Sequence, residues 1–137
     1  MYTRGMHQHI FVFGNPDISN DALPLQLLPT LQARFPDVIF RVLDPNEEWD
    51  VPTHMIVLDT VINLDTVTTF QSLDVFMTAP RMTCHDFDAY ANLMLLKKLG
   101  IISGVTVIGL PPHPFERFDT TPLFEALESA LHETRQE

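Results

Sequence analysis

Three short runs of almost purely apolar residues constrain the fold of this chain more than any other feature. They occupy residues 10–13 (IFVF), 55–58 (MIVL) and 105–110 (VTVIGL). A strand with one buried face alternates apolar and polar side chains, so an uninterrupted apolar run indicates a strand that is covered on both faces. Such strands are typical of parallel sheets that have helices on either side.

Helical periodicity predicts three helices around these strands. The first places its apolar residues between positions 23 and 31, and Pro29 should kink or shorten it. The second spans residues 86–99, with Gly100 at its C-cap position. The third begins at Thr121 as the N-cap residue. The predicted buried stripe of the second helix consists of Phe87, Tyr90, Ala91, Met94 and Leu95.

Two further strands complete the predicted set, at residues 38–43 and within residues 67–76. The resulting order, β-α-β-β-β-α-β-α, predicts a three-layer α/β/α fold with a mainly parallel five-stranded sheet. A chain of 137 residues suits one core, so we expect residues 1–137 to form a single domain. In such sheets ligands bind beyond the carboxyl ends of the strands.

The charge of the chain restricts its partners. Eight basic against 18 acidic residues give a formal net charge of −10, which repels nucleic acid and anionic lipid surfaces. The single cysteine cannot form an internal disulfide, and neither a secretory signal nor a membrane-spanning stretch is apparent. We therefore expect a cytoplasmic protein that binds no nucleic acid and does not insert into membranes.

Polar side chains that could bind a metal follow the predicted strands. Asp17 and Asp21 come after the first strand, Asp59 comes after the third, and His85 precedes the second helix. Two carboxylates and one imidazole, completed by water or substrate, could hold zinc, nickel or copper. The carboxyl edge of the sheet is thus a candidate divalent-metal site.

Each of these residues also has an ordinary structural interpretation. Asp21 fits the first turn of a helix, where the helix dipole favours an acid, and Asp59 fits a turn at a strand end. His85 fits a capping or partly buried histidine. Adjacent residues of an extended segment point in opposite directions, so His85 is badly placed to activate Cys84 as a thiol nucleophile. No serine triad, phosphate-binding loop, dinucleotide fingerprint or paired-cysteine metal motif is present.

Four segments of the chain, taken in order, form a recognisable pattern. They are FVFGNPDISNDALP, IVLDTV, CHDFDAYANLMLLKKLG and VTVIGLPP. Residues 14–16 give Gly-Asn-Pro after an apolar strand, followed by Asp21 before a helix. Asp59 follows a core strand, His85 precedes an amphipathic helix, and residues 109–112 give Gly-x-x-Pro. In this pattern the chain resembles the hydrogenase maturation endopeptidases.

These endopeptidases trim the C-terminus of the large subunit of nickel-iron hydrogenases. The resemblance implies a phosphorylase/hydrolase-like α/β/α fold, with Asp21, Asp59 and His85 as nickel ligands and catalytic residues. It implies a hydrogenase large-subunit precursor as the partner, and nickel that arrives already loaded in that precursor. A metal at this site polarises a carbonyl or activates water, which fits the absence of a side-chain nucleophile.

Two residues of the first loop are candidate substrate contacts, Asn15 and Asp17. Both also fit turn roles, because Asn commonly holds a loop through side-chain hydrogen bonds and Asp is common in exposed turns. The same loop departs from the family pattern, since Asn20 replaces the first acid of the usual pair and residues 22–24 replace a glycine-containing stretch. A non-catalytic nickel-sensing or assembly module, and an α/β binding domain that keeps only the fold, are therefore the alternatives.

Overall fold

A computed structural model describes residues 7–14, 22–44, 49–61, 64–74 and 87–135. The strands are β1 (Gln8–Val12), β2 (Val38–Val42), β3 (His54–Thr60), β4 (Thr68–Phe70) and β5 (Gly104–Leu110). The helices are α1 (Leu23–Gln26), α2 (Leu28–Arg34), α3 (Phe87–Lys98) and α4 (Thr121–Arg135), and a 3₁₀ turn spans Phe115–Arg117.

The five strands form one sheet in the order β2-β1-β3-β5-β4. Strands β2, β1, β3 and β5 are parallel, and only the short edge strand β4 runs antiparallel, beside β5. The mainly parallel five-stranded sheet predicted from the sequence is therefore confirmed. Strand β3 lies at the centre, and every residue from Met55 to Thr60 is buried.

Each face of the sheet carries its own apolar core, which confirms the three layers. Met55 and Val57 of β3 point to the face that α3 covers, where they pack with Tyr90 and Leu93. Ile56 and Leu58 point to the other face, which α1, α2 and α4 cover. Because successive side chains of a strand alternate between faces, an apolar run is the pattern that two covered faces require.

The first predicted helix is interrupted as Pro29 suggested. It is divided at Leu27 into α1 and α2, and Pro29 lies in the first turn of α2. Proline has no backbone N–H, and the first turn of a helix needs no such donor, so a new helix can begin there. Leu23, Leu27 and Leu31 remain in one apolar cluster across the break.

The predicted stripe of α3 was partly wrong. Ala89, Tyr90 and Leu93 face the core, whereas Leu95 is 52% exposed. Apolar residues surround most of this helix, so their spacing alone does not identify the buried face. The end of the helix is as predicted, with Gly100 at φ +77°. Glycine adopts this left-handed conformation without steric penalty.

The start of α4 also differs from the prediction. Thr121 is already helical, and the carboxylate of Asp119 accepts a hydrogen bond from the Thr121 backbone N–H at 3.0 Å. Asp119, not Thr121, thus supplies the capping oxygen. In the segments that the structure describes, no helix is long and apolar enough to cross a membrane.

Candidate functional site

The carboxyl ends of the central strands meet at one edge of the sheet, and Asp59 lies there. It is the penultimate residue of β3 and the register partner of Gly109 on β5. The ladder of backbone hydrogen bonds continues past it, since Phe13 N donates to Leu58 O at 3.0 Å and Val61 N donates to Leu110 O at 2.8 Å. Asp59 is therefore part of the strand, which rules out the turn role that the sequence left open.

Asp59 is fully buried, with 0% of its surface exposed, and both carboxylate oxygens accept hydrogen bonds. The Thr60 backbone N–H donates to Oδ1 at 2.8 Å, and the Tyr90 hydroxyl donates to Oδ2 at 2.8 Å. Burying a carboxyl group is unfavourable unless such partners replace water. These two hydrogen bonds explain how a carboxyl group can be buried among apolar strand residues.

Two further aromatic rings follow Tyr90 in a chain of ring contacts. The ring of Phe13 meets the ring of Tyr90 edge to face, with centroids 5.8 Å apart and an interplanar angle of 89°. Trp49 also packs against Phe13, with centroids 5.8 Å apart, and its indole N–H donates to the Asp44 carbonyl at 2.9 Å. Asp59 thus borders the apolar core between the sheet and α3.

A side chain at position 109 would crowd the apolar side chains beside Asp59. A Cβ atom at this position would lie 2.8 Å from Leu64 Cδ1, 3.0 Å from Phe70 Cε2 and 3.1 Å from Val61 Cγ2. These distances are shorter than normal van der Waals contacts, so the neighbouring apolar side chains would have to shift to admit a Cβ atom. The glycine of the Gly-x-x-Pro match therefore has a packing reason in this fold.

The other site residues predicted from the sequence fall outside the described part of the chain. These are Asn15, Asp17, Asp21 and His85. Within residues 7–14, 22–44, 49–61, 64–74 and 87–135, no group of three or more His, Cys, Asp or Glu side chains could hold a metal. Of the three predicted ligands, Asp59 alone has a described environment, and the complete ligand set stays a prediction.

The sequence analysis missed two polar contacts. It assigned Tyr90 only to an apolar stripe, although a buried tyrosine hydroxyl usually has a hydrogen-bond partner, and that partner is Asp59. No motif of the sequence indicated the second contact, in which His54 Nε2 lies 2.8 Å from Thr106 Oγ1. Thr106 in turn donates to Gln71 Oε1 at 3.0 Å. A tyrosine in an otherwise apolar helical face was the available signal for the first contact.

The His54–Thr106 contact does not form a nucleophile and base pair. Because the Thr106 hydroxyl donates its proton to Gln71, it accepts from His54, whereas a nucleophile donates to its base. Thr106 is also buried, and it pairs in register with Ile56, three residues before Asp59 along β3. At about 3.3 Å per residue, this separates the two sites by about 10 Å along the strand.

Two hydrogenase maturation proteases and an endopeptidase are among the solved structures that resemble this chain. The NiFe hydrogenase maturation protease HybD from Thermococcus kodakarensis matches with a TM-score of 0.53 and 16% identity, over 76% of this chain and 79% of that one. The hydrogenase 3 maturation protease matches with a TM-score of 0.55 and 19% identity, over 79% and 75%. An endopeptidase from Escherichia coli matches with a TM-score of 0.57 and 18% identity, over 93% and 90%.

These likenesses establish a shared α/β fold, in agreement with the family resemblance in the sequence. No protein-family model matches the chain, and no curated protein sequence matches it. Since one fold can serve many functions, activity has to be argued from the site itself.

Proposed function

We propose that this chain is an endopeptidase that removes the C-terminal extension of a nickel-iron hydrogenase large-subunit precursor. The observation that carries this proposal is the buried Asp59 carboxylate at the carboxyl end of the central strand. It occurs in a fold shared with two hydrogenase maturation proteases. The sequence pattern around Gly14, Asp59 and Gly109 adds independent support.

In this proposal Asp21, Asp59 and His85 bind the nickel that the precursor carries. A carboxylate held by a hydrogen bond on each oxygen suits a divalent cation, because its orientation is fixed before the metal arrives. Bound nickel would supply a Lewis acid near the scissile bond. Other divalent metals could substitute, and Asn15 and Asp17 are proposed to contact the substrate.

The chain's own residues orient the Asp59 carboxylate and exclude water from its surroundings. Tyr90 and Thr60 hold the Asp59 carboxylate, and the aromatic rings of Phe13 and Trp49 extend the apolar surroundings on the α3 side. Water-poor surroundings strengthen the interaction between a carboxylate and a cation. We place the protein in the cytoplasm, with the precursor as its partner and with no role in nucleic-acid binding.

A cleavage assay read by mass spectrometry tests the proposal. Nickel-loaded large-subunit precursor from the source organism is incubated with the wild type, with His85→Ala and with His113→Ala. His113 is an exposed histidine in the turn after β5, so it serves as the matched control. We expect wild type and His113→Ala to release one discrete C-terminal fragment, and His85→Ala to release none.

Two other outcomes would reject the peptidase. Nickel-dependent association without any fragment would identify a sensing or assembly module. Neither cleavage nor association would mean that the chain keeps only the fold. Equal cleavage by wild type and His85→Ala would remove that histidine from the mechanism.

A further inference from the structure

The hydroxyl of Tyr90 is the feature of the site that packing does not explain. The side chain is 1% exposed, and its ring belongs to the apolar cluster between the sheet and α3. A phenylalanine would fill the same volume and make the same edge-to-face contact with Phe13. The tyrosine adds a hydroxyl that donates to Asp59 Oδ2 at 2.8 Å.

The two hydrogen bonds on Asp59 have different origins. The bond to Oδ1 comes from the next residue, Thr60, so it ties the carboxylate to its own strand. The bond to Oδ2 comes from a residue 31 positions later, on the first turn of α3. The terminal torsion of an aspartate is otherwise broad, and a second bond from a different element restricts it. The carboxylate plane is therefore set jointly by β3 and α3.

Tyr90 is itself held in place. Its ring is packed against the edge of Phe13, and Ala89 and Leu93 of the same helix are fully buried beside it. A tyrosine has two main side-chain torsions, and burial of the ring fixes both. The hydroxyl is thus a rigid donor, and a rigid donor can orient a carboxylate without reorganisation during a reaction.

From this geometry we propose that Tyr90 is a positioning residue that orients the Asp59 carboxylate for metal binding. The inference rests on the proposed function, because it takes Asp59 to be a metal ligand. Partners that orient metal ligands commonly change metal affinity or activity by roughly 10- to 100-fold when they are removed. Tyr90 acts through Asp59, so its loss should weaken nickel binding and, with it, processing of the nickel-loaded precursor.

Tyr90→Phe is the variant that tests this inference, with Thr106→Val as its matched control. Both remove one buried hydroxyl that takes part in hydrogen bonds, but Thr106 lies about 10 Å from Asp59 along the sheet. In the cleavage assay we expect Tyr90→Phe to lower kcat/KM at least about tenfold. Thr106→Val should keep the wild-type kcat/KM while losing comparable thermal stability.

Nickel binding by the isolated protein gives a second readout that needs no cleavage. Trp49 is the single tryptophan of the chain. Its ring packs against Phe13, which also contacts Tyr90, so its fluorescence reports on the site. As nickel chloride is added, we expect Tyr90→Phe to need about tenfold more metal than the wild type for half-saturation. Thr106→Val should match the wild type.

The two readouts separate the inference from the proposed function. If the wild type binds nickel and cuts the precursor, but Tyr90→Phe equals it in both assays, the positioning role is wrong and the peptidase stands. If the wild type binds nickel without cutting, and Tyr90→Phe binds it more weakly, the positioning role stands and the peptidase fails. Equal losses in Tyr90→Phe and Thr106→Val, or a wild type that neither binds nickel nor cuts the precursor, would overturn the positioning role.

Discussion

Asp59 and Gly109 are register partners on the adjacent parallel strands β3 and β5, so the buried acid has a residue without a side chain as its neighbour. Gly109→Ala should destabilise the fold by about 1–3 kcal/mol, because the new Cβ would overlap Leu64, Phe70 and Val61. Urea denaturation measures this loss. Leu64 makes the shortest of the three contacts, so adding Leu64→Ala to Gly109→Ala tests whether overpacking is the cause.

If overpacking is the cause, the double variant should lose less free energy of unfolding than the two single variants lose together. Strictly additive losses would show that Gly109 is needed for another reason. Gly100→Ala offers a contrast, because nothing lies within 4 Å of its Cβ position. Its loss, about 1 kcal/mol, should come from the left-handed backbone alone.

Substitutions of Asp59 should separate stability from chemistry. Asp59→Ala leaves the Thr60 N–H and the Tyr90 hydroxyl buried without this acceptor, which should lower the free energy of unfolding by about 2–5 kcal/mol. Asp59→Asn keeps an oxygen for Thr60, and its amide can donate to the Tyr90 oxygen, so the loss should be smaller. Urea denaturation of both variants checks this order.

Asp59→Asn is therefore the variant to use in the cleavage assay, where we expect no processing although the protein is folded. Asn should be tolerated at this fully buried position because a tyrosine hydroxyl can accept as well as donate. If Asp59→Asn is as unstable as Asp59→Ala, the reversed hydrogen bond does not form.

The start of α4 should make stability depend on pH. The Thr121 backbone N–H donates to Asp119 and holds the pKa of that carboxyl below its usual value, with a smaller contribution from the Thr121 side chain. A lowered pKa in the folded state means that the unfolded chain binds the proton more readily. The capping bond therefore stabilises the fold at neutral pH, and this contribution is lost as the pH falls through the lowered pKa.

Asp119→Asn keeps an oxygen acceptor for the helix N-terminus and cannot ionise. We expect its melting temperature to vary less than that of the wild type between neutral and acid pH. Differential scanning calorimetry across that pH range measures the difference. Identical pH profiles for the two proteins would show that Asp119 does not contribute to the acid sensitivity.

The α2 and α4 helices are joined by an ion pair between Arg34 and Glu128, both about half exposed. Exposed pairs stabilise little, so Glu128→Gln should change the free energy of unfolding by less than about 1 kcal/mol. Arg34 also lies over the rings of Phe35 and Phe124, at 5.1 Å and 5.5 Å from the ring centroids. Arg34→Ala should therefore have the larger effect, since it removes packing and cation–π contacts as well as charge.

Urea denaturation at low and high salt distinguishes the two contributions. The small effect of Glu128→Gln should shrink as salt screens the charges, whereas most of the effect of Arg34→Ala should remain. Equal effects of the two substitutions would mean that the ion pair, and not the aromatic contacts, stabilises this helix pair.

The sequence by itself determined the sheet and its layers. Apolar runs such as residues 55–58 predicted strands covered on both faces, Pro29 predicted the break between α1 and α2, and Gly100 predicted the end of α3. These features depend on local chemistry: the alternation of side chains along a strand, the missing N–H of proline and the conformational freedom of glycine. Asp59 was singled out for the same reason, as an acid directly after an apolar run.

Tertiary structure alone decided the surroundings of that acid. The buried face of α3 could not be identified from a helix with apolar residues on nearly all sides, so Leu95 was placed in the core although it is exposed. The Tyr90–Asp59 hydrogen bond joins residues 31 positions apart, on a helix and a strand in different layers. Local sequence pattern indicates that a buried tyrosine needs a hydrogen-bond partner but not which residue that is, because the contact exists only once α3 has packed against the sheet.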